Sequence, residues 1–197
     1  MRFAFAGIPA LCASIAAGIA LAVASPGAAA QEKTKLRVSV IPIVDVSPFY
    51  AAIKQGYFKA EGLEVDPSPV AGGAAGIPGL MAGAYDLVFT NVVSTILARQ
   101  QNLKIKLVAP GWSAGEPNDG AAIVVRKGEG LKRGADLNGK SLAVNTRNNI
   151  IWRYAAEWAA RTGADLPKIN FREVPFPQMV DALKGKQVDA AFIVEPF

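Results

Sequence analysis

The chain has 197 residues, 21 Lys and Arg against 16 Asp and Glu, a formal net charge of +5, one cysteine and no histidine. Without histidine the commonest general base and metal ligand at neutral pH is missing, and a single cysteine permits no internal disulfide, so hydrolytic, redox and metal chemistry all start at a disadvantage. The basic residues are scattered and do not interleave with aromatics, which argues against a nucleic-acid surface.

Arg2 supplies a short positive start, and an uncharged apolar stretch runs from Phe3 to about Val23. Ser25-Pro26-Gly27 then breaks any helix, and the small residues Ala28 and Ala30 follow. This predicts a secretory signal peptide over residues 1–30, cut before Gln31. A retained anchor is the other reading, and the Ala- and Gly-rich composition with its helix breaker speaks against it. Cys12 leaves with the leader.

Residues 36–43 (LRVSVIPI) are rich in Val and Ile and read as a buried strand. Asp45, Val46, Ser47 and Pro48 form a loop into a helix over 49–57, with Pro48 suited to its first turn. An extended segment follows at 63–70. A glycine turn at 71–74 opens a helix reaching Met81, and a strand at 86–89 leads through Thr90 and Asn91 into a helix at 92–100. Residues 105–108 read as another strand. Strands and helices alternating at this pace predict an α/β fold with parallel sheets.

The texture changes at 111–120, where Gly, Ser, Pro, Asn and acidic residues surround Trp112. This segment reads as a linker, and beyond it the pattern starts again. Strands are expected at 121–125, 141–144, 169–174 and 190–194, with helices from 150 to about 161 and over 178–184. A polar loop occupies 145–149, and Pro175-Phe176-Pro177 forms another. The halves match at an offset of 103 residues: Ile41 falls on Val144, Gly72-Gly73 on Pro175-Phe176, and Leu80 and Asp86 on Leu183 and Asp189. The expected organisation is therefore a lobe over 31–110, a hinge over 111–120 and a second lobe over 121–197, with ligands taken beyond the carboxyl ends of the parallel strands.

The segments PFYAAIKQGYFKAEGLEVD (48–66), AGGAAGIPGLMAGAYDLVFTN (71–91), DLNGKSLAVNTRNNI (136–150) and VDAAFIVEPF (188–197) together carry a resemblance. The chain resembles type II substrate-binding proteins of the nitrate/sulfonate/taurine and thiamine-pyrimidine-precursor group. That resemblance implies a two-lobed periplasmic-binding-protein type II fold and a periplasmic location. It implies capture of a small solute for an ABC permease in the inner membrane, by a monomer without cofactor, metal or catalysis. Members of the group look roughly twice as long, so the second lobe is expected to be incomplete.

Each candidate site residue has a structural alternative. Asp45 and Ser47 would bond a ligand or cap the following helix. Gly72 and Gly73 would let backbone amides approach a polar group, or serve a turn of positive φ. Thr90 and Asn91 lie where the resemblance places the cleft, though an Asn there can simply be an N-cap. Asn145, Thr146, Arg147, Asn148 and Asn149 form a polar cluster dense for capping alone. Arg147 would clamp an anion or lie on the surface. Glu195 would accept from an amine or a ring N–H, or pair within its lobe. Trp112 and Phe176 stand where core packing makes no demand, and would stack on a planar ligand or pack the hinge.

Two other function classes share the architecture. A yeast-type pyrimidine synthase looks similar in fold but relies on histidine and a Cys-rich motif. The effector lobes of LysR-type regulators follow a helix-turn-helix, where this chain has a leader. Solute binding is the expected function. Arg147 points to an anion, whereas Glu195, Asn91 and the aromatics point to a pyrimidine-like ring.

Overall fold

The computed structural model describes residues 34–111, 113 and 120–197. The expected signal peptide, Trp112 and most of the expected hinge lie outside the described residues.

Two sheets organise the chain. The first contains β1 (Thr34–Val40), β2 (Leu63–Pro69) and β3 (Leu87–Val88) in the order β2-β1-β3, all parallel. The second contains β4 (Ala121–Val125), β5 (Ser141–Val144), β6 (Asn170–Glu173) and β7 (Ala190–Val194) in the order β4-β7-β5-β6. Here β5, β6 and β7 are parallel and β4 runs antiparallel to β7. The helices are α1 (Ser47–Lys54), α2 (Tyr57–Ala60), α3 (Gly73–Met81), α4 (Val92–Gln100), α5 (Ile150–Arg161) and α6 (Phe176–Lys184). Parallel neighbours need long crossovers, and the helices supply them.

Residue type and position agree in detail. The central strand β1 is buried over Val38, Ser39 and Val40, as a strand covered on both faces must be. Pro67 and Pro69 sit in β2, which is an edge strand where a missing N–H costs no ladder bond. In the second sheet alternate residues face opposite layers. Leu142, Val144, Ala190 and Phe192 pack with the Ala155, Ala156 and Ala159 stripe of α5. Ala143 and Ala191 face Phe176, Met179, Ala182 and Leu183 of α6. Ile41, just past β1, is buried in that second layer, with Ile43 and Phe89 packed against it. The two sheets thus share apolar contact within the single compact unit Glu32–Phe197.

The internal repeat is present in three dimensions. Each residue of α3 lies 103 positions before its counterpart in α6. Asp86 and Asp189 play matching parts just before β3 and β7. Asp86 Oδ2 accepts from the Arg37 backbone N–H at 2.8 Å, and Asp189 Oδ2 from that of Ser141 at 2.7 Å. Each carboxylate therefore clips the incoming strand to its neighbour. The bond and charge of the Arg37 guanidinium lower the Asp86 carboxyl to about 2. Hydrogen bonds from Ser141 also hold Asp189 below the ordinary carboxylate range.

Two expected elements differ. The helix over 49–57 is divided, because Gly56 takes a left-handed φ of 79° between α1 and α2. Residues 105–108 form no strand: Ile105 is buried against Ile77 and Ala98, while Leu107 and Val108 are 66% and 75% exposed and pair with no strand among the described residues. Apolar composition alone does not make a strand when no ladder partner is present. Among the described residues no helix is long and apolar enough to cross a membrane.

Candidate functional site

Because β1 and β3 are parallel, as are β5 and β7, the carboxyl ends within each sheet open into loops on one side. Thr90 and Asn91 follow β3. Asn91 caps α4, its Oδ1 accepting from the Ser94 N–H at 2.9 Å, and its carbonyl accepts from the Thr95 hydroxyl at 2.9 Å. The capping alternative for Asn91 is therefore realised. Thr90 Oγ1 is buried with no hydrogen-bond partner among the described residues.

The loop after β5 is buried although it is polar. Asn145, Thr146 and Asn149 are 3%, 9% and 1% exposed. Asn149 is their hub. Its Nδ2 donates to Asn145 Oδ1 and Thr146 Oγ1, both at 2.7 Å, and its Oδ1 accepts from the Trp152 N–H at 2.9 Å to cap α5. Burial of three polar side chains is tolerable because each has a partner.

This loop meets the first sheet's loops directly. Asn145 Nδ2 donates to the Ala71 carbonyl at 3.2 Å, and Ser94 Oγ donates to the Asn148 carbonyl at 3.0 Å. The Val44 N–H donates to the Glu195 carbonyl at 3.2 Å. Gly72 is extended, with φ of −177°, so the positive-φ reading fails for it. Its glycine is demanded by proximity: a Cβ there would stand 2.6 Å from Asn145 Nδ2 and 2.7 Å from Thr146 Oγ1. A Cβ on Gly73 would stand 2.3 Å from Thr90 Oγ1. The amino ends of α3, α4 and α5 thus gather around one region.

Other candidates are placed differently. Ser47 is exposed and begins α1, and its side chain caps nothing, because the turn Val44–Val46 already leads the backbone into helix. Asp45 is half-buried in that turn. Arg147 is exposed, yet its guanidinium donates to the Phe171 carbonyl at 2.6 Å and its backbone N–H to Glu173, which ties the loop to β6. Phe176 corrects its expectation. It is 2% exposed, opens α6, and stacks on Phe197 with ring centroids 6.4 Å apart, so it belongs to the core. Glu195 is exposed, and its N–H donates to the Gly120 carbonyl at 2.8 Å. Ser94 and the hub role of Asn149 were not legible beforehand. A polar residue in the first turn of a helix, and an Asn immediately before another, carry only a capping signal.

Two surface concavities lie elsewhere. One of about 300 Å³ is bordered by Glu173, Pro175, Gln178 and Asp181, and one of about 560 Å³ by Ile96, Arg99, Gln100 and Leu107. The facing loops are in contact rather than around either space. Besides the Arg147 guanidinium and the Glu195 carboxylate, their groups are amides, hydroxyls and backbone N–H, which can hydrogen-bond a polar molecule. Among the described residues no cluster of three His, Cys, Asp or Glu could hold a metal ion.

The family described as NMT1/THI5 like matches residues 43–197. No curated protein matches the sequence. Among solved structures, the alkanesulfonate-binding protein SsuA from Xanthomonas axonopodis pv. citri, bound to MOPS, is similar at 19% identity and a TM-score of 0.69, over 84% of this chain and 56% of that one. The periplasmic nitrate-binding protein NrtA from Synechocystis PCC 6803 is similar at 17% identity and 0.66, over 84% and 48%. The periplasmic aliphatic sulphonate binding protein SsuA from Escherichia coli is similar at 19% and 0.58, over 82% and 51%. At these identities the likeness is one of fold, and that fold is the type II periplasmic-binding-protein fold. The chain spans about half the length of these structures.

Proposed function

The chain belongs to the NMT1/THI5-like family, and from that we propose that it is the solute-binding component of an ABC importer, working in the periplasm without catalysis. The solute, small and polar, anionic or heteroaromatic, is taken between the two sheets and handed to a membrane permease. One observation carries this reading: the amino ends of α3, α4 and α5 converge with the polar loop 145–149 at the carboxyl ends of the strands. Helix amino ends favour acceptor-bearing groups, and two bodies meeting at loops suit closure on a ligand. Known binding of sulfonate or nitrate by proteins of this fold makes those solutes the natural starting panel.

Thermal melts of the purified chain with taurine, MOPS, nitrate and an aminopyrimidine test the proposal, followed by calorimetry on any solute that stabilises it. Binding of the native state alone raises the melting temperature by mass action. One panel member should do so in a saturable way and emerge chemically unchanged. Turnover of that solute by rigorously purified protein, or indifference to the whole panel, counts against the reading.

A further inference from the structure

Asn138-Gly139 is the one Asn-Gly pair in the sequence, and it lies apart from the loops described above. A following glycine leaves its backbone nitrogen uncrowded, which makes this pair the context in which an asparagine most readily loses its side-chain amide. The pair forms the centre of a turn that leads into β5. Asn138 has φ of −60° and ψ of 124°, Gly139 has φ of 78°, and the Lys140 N–H donates to the Leu137 carbonyl at 2.9 Å. These are the angles of a type II turn, which favours glycine at its third position. Both residues are exposed, and a Cβ on Gly139 would meet nothing within 4 Å, so water and hydroxide have access to the turn.

The folded turn blocks the chemistry that its sequence invites. Loss of the amide requires the Gly139 nitrogen to bond to Asn138 Cγ, which closes a five-membered ring. That ring forms only when the Cα–Cβ bond of Asn138 nearly eclipses the peptide bond to Gly139, and a ψ of 124° keeps the two well apart. Both reacting groups are held there by one neighbouring turn, Leu166–Lys168. The Gly139 N–H donates to the Lys168 carbonyl at 2.9 Å, and Asn138 Oδ1 accepts from the Asp165 N–H at 2.9 Å. Leu166 fixes that turn by packing against the core layer of the α5 alanines.

We propose that Asn138 is a latent deamidation site, latched by the turn Leu166–Lys168, and that its conversion marks molecules in which this turn has come away. With the latch open, hydroxide takes the Gly139 N–H proton and the nitrogen attacks Asn138 Cγ. The new C–N bond forms, the Cγ–Nδ2 bond breaks, and the amide nitrogen leaves as ammonia with a proton from water. Water then opens the succinimide at either carbonyl, giving an aspartyl or an isoaspartyl residue, and no other co-reactant is needed. The aspartyl form keeps an oxygen for the Asp165 N–H, so the turn can close again. In the isoaspartyl form the main chain runs through an extra carbon, Gly139 no longer comes into register with Lys168, and the latch stays open.

The test is peptide mapping by mass spectrometry of the full chain after incubation in mildly alkaline buffer, reading aspartyl and isoaspartyl products of Asn138. The folded protein should convert roughly tenfold or more slowly than the same chain in denaturant, because the reactive geometry is reached only by local opening. Leu166→Ala should raise the folded-state rate several-fold by loosening the latch. Val38→Ala, in the core of the other sheet, should leave that rate unchanged at a similar loss of melting temperature. Should Leu166→Ala fail to fold, Leu166→Val decides by the same comparison. Conversion of the folded chain as fast as in denaturant overturns the inference, since the turn then gives no protection. Equal acceleration in the Leu166 and Val38 variants overturns it as well, because global unfolding and not the latch then gates the reaction.

Discussion

Helices α3 and α6 occupy equivalent places in the repeat, yet they begin in opposite ways. The chain enters α3 through Gly72-Gly73, and each glycine is pressed against a neighbouring loop at a distance no side chain would allow. It enters α6 through Pro175-Phe176-Pro177, and the ring of Phe176 fills the core. The scaffold positions, by contrast, are kept: Asp86 and Asp189 clip their strands in the same manner. Candidate recognition sites are thus found where the repeat is broken, and structural duties where it is kept. The loops after β1 and β5 differ likewise, the first apolar and anchoring Ile41, the second polar and buried.

The largest difference is expected at the two helix starts. Phe176→Ala should lower stability by about 3–5 kcal/mol, as for other buried aromatic truncations. Gly73→Ala, at the equivalent place, should cost about 1–3 kcal/mol through overpacking against Thr90. Denaturant titration of both variants measures this. A near-neutral Phe176→Ala would mean that α6 is not anchored as described.

The Asp pair gives the next largest effect and sharpens the symmetry. Asp189→Ala removes an acceptor from both the Ser141 N–H and its hydroxyl and should cost about 1.5–3 kcal/mol. Asp86→Ala should cost less, because its pairing with Arg37 is more open to solvent. Both carboxyls have folded values below the ordinary value of about 4, so their stabilisation is complete above that pH and is lost as pH falls. For Asp86 the window runs from about pH 4 down to about 2. Melting temperatures across this range should fall more steeply for the native chain than for Asp86→Asn. Parallel curves would show that Asp86 carries no linked proton.

The smallest effect separates capping from recognition at Asn91. Asn91→Ala should lose about 1 kcal/mol with its cap, whereas Asn91→Ser should stay within a few tenths. If Asn91→Ser keeps stability but weakens solute binding, the residue acts in the cleft as well as on α4. Equal loss of stability in both variants would remove the cap as its main role.

Much of the fold was legible in the sequence because it follows local pattern. The helix at 92–100 and the strands at 121–125, 141–144 and 190–194 have the bounds that periodicity assigned them. The misreadings share a different cause. Segment 105–108 has strand composition, but a strand is defined by a partner. For Gly72 only the positive-φ alternative fails, because the constraint there is close approach to a loop more than seventy residues away. Phe176 looked exposed because its prolines suggest a surface loop, yet Pro177 suits the first turn of a helix and lets the ring turn inward. The polarity of 145–149 was plain, but not that Asn149 would organise it, since hydrogen-bond direction is set by the packed neighbours.

Recognition of solute where the repeat diverges can be followed by amide hydrogen exchange with and without the panel solute that most raises the melting temperature. Slower exchange should appear at residues 71–73, 90–95 and 145–150, with the strands β5 and β7 little changed. Protection confined to the outer helices, or spread evenly over both sheets, would contradict the account.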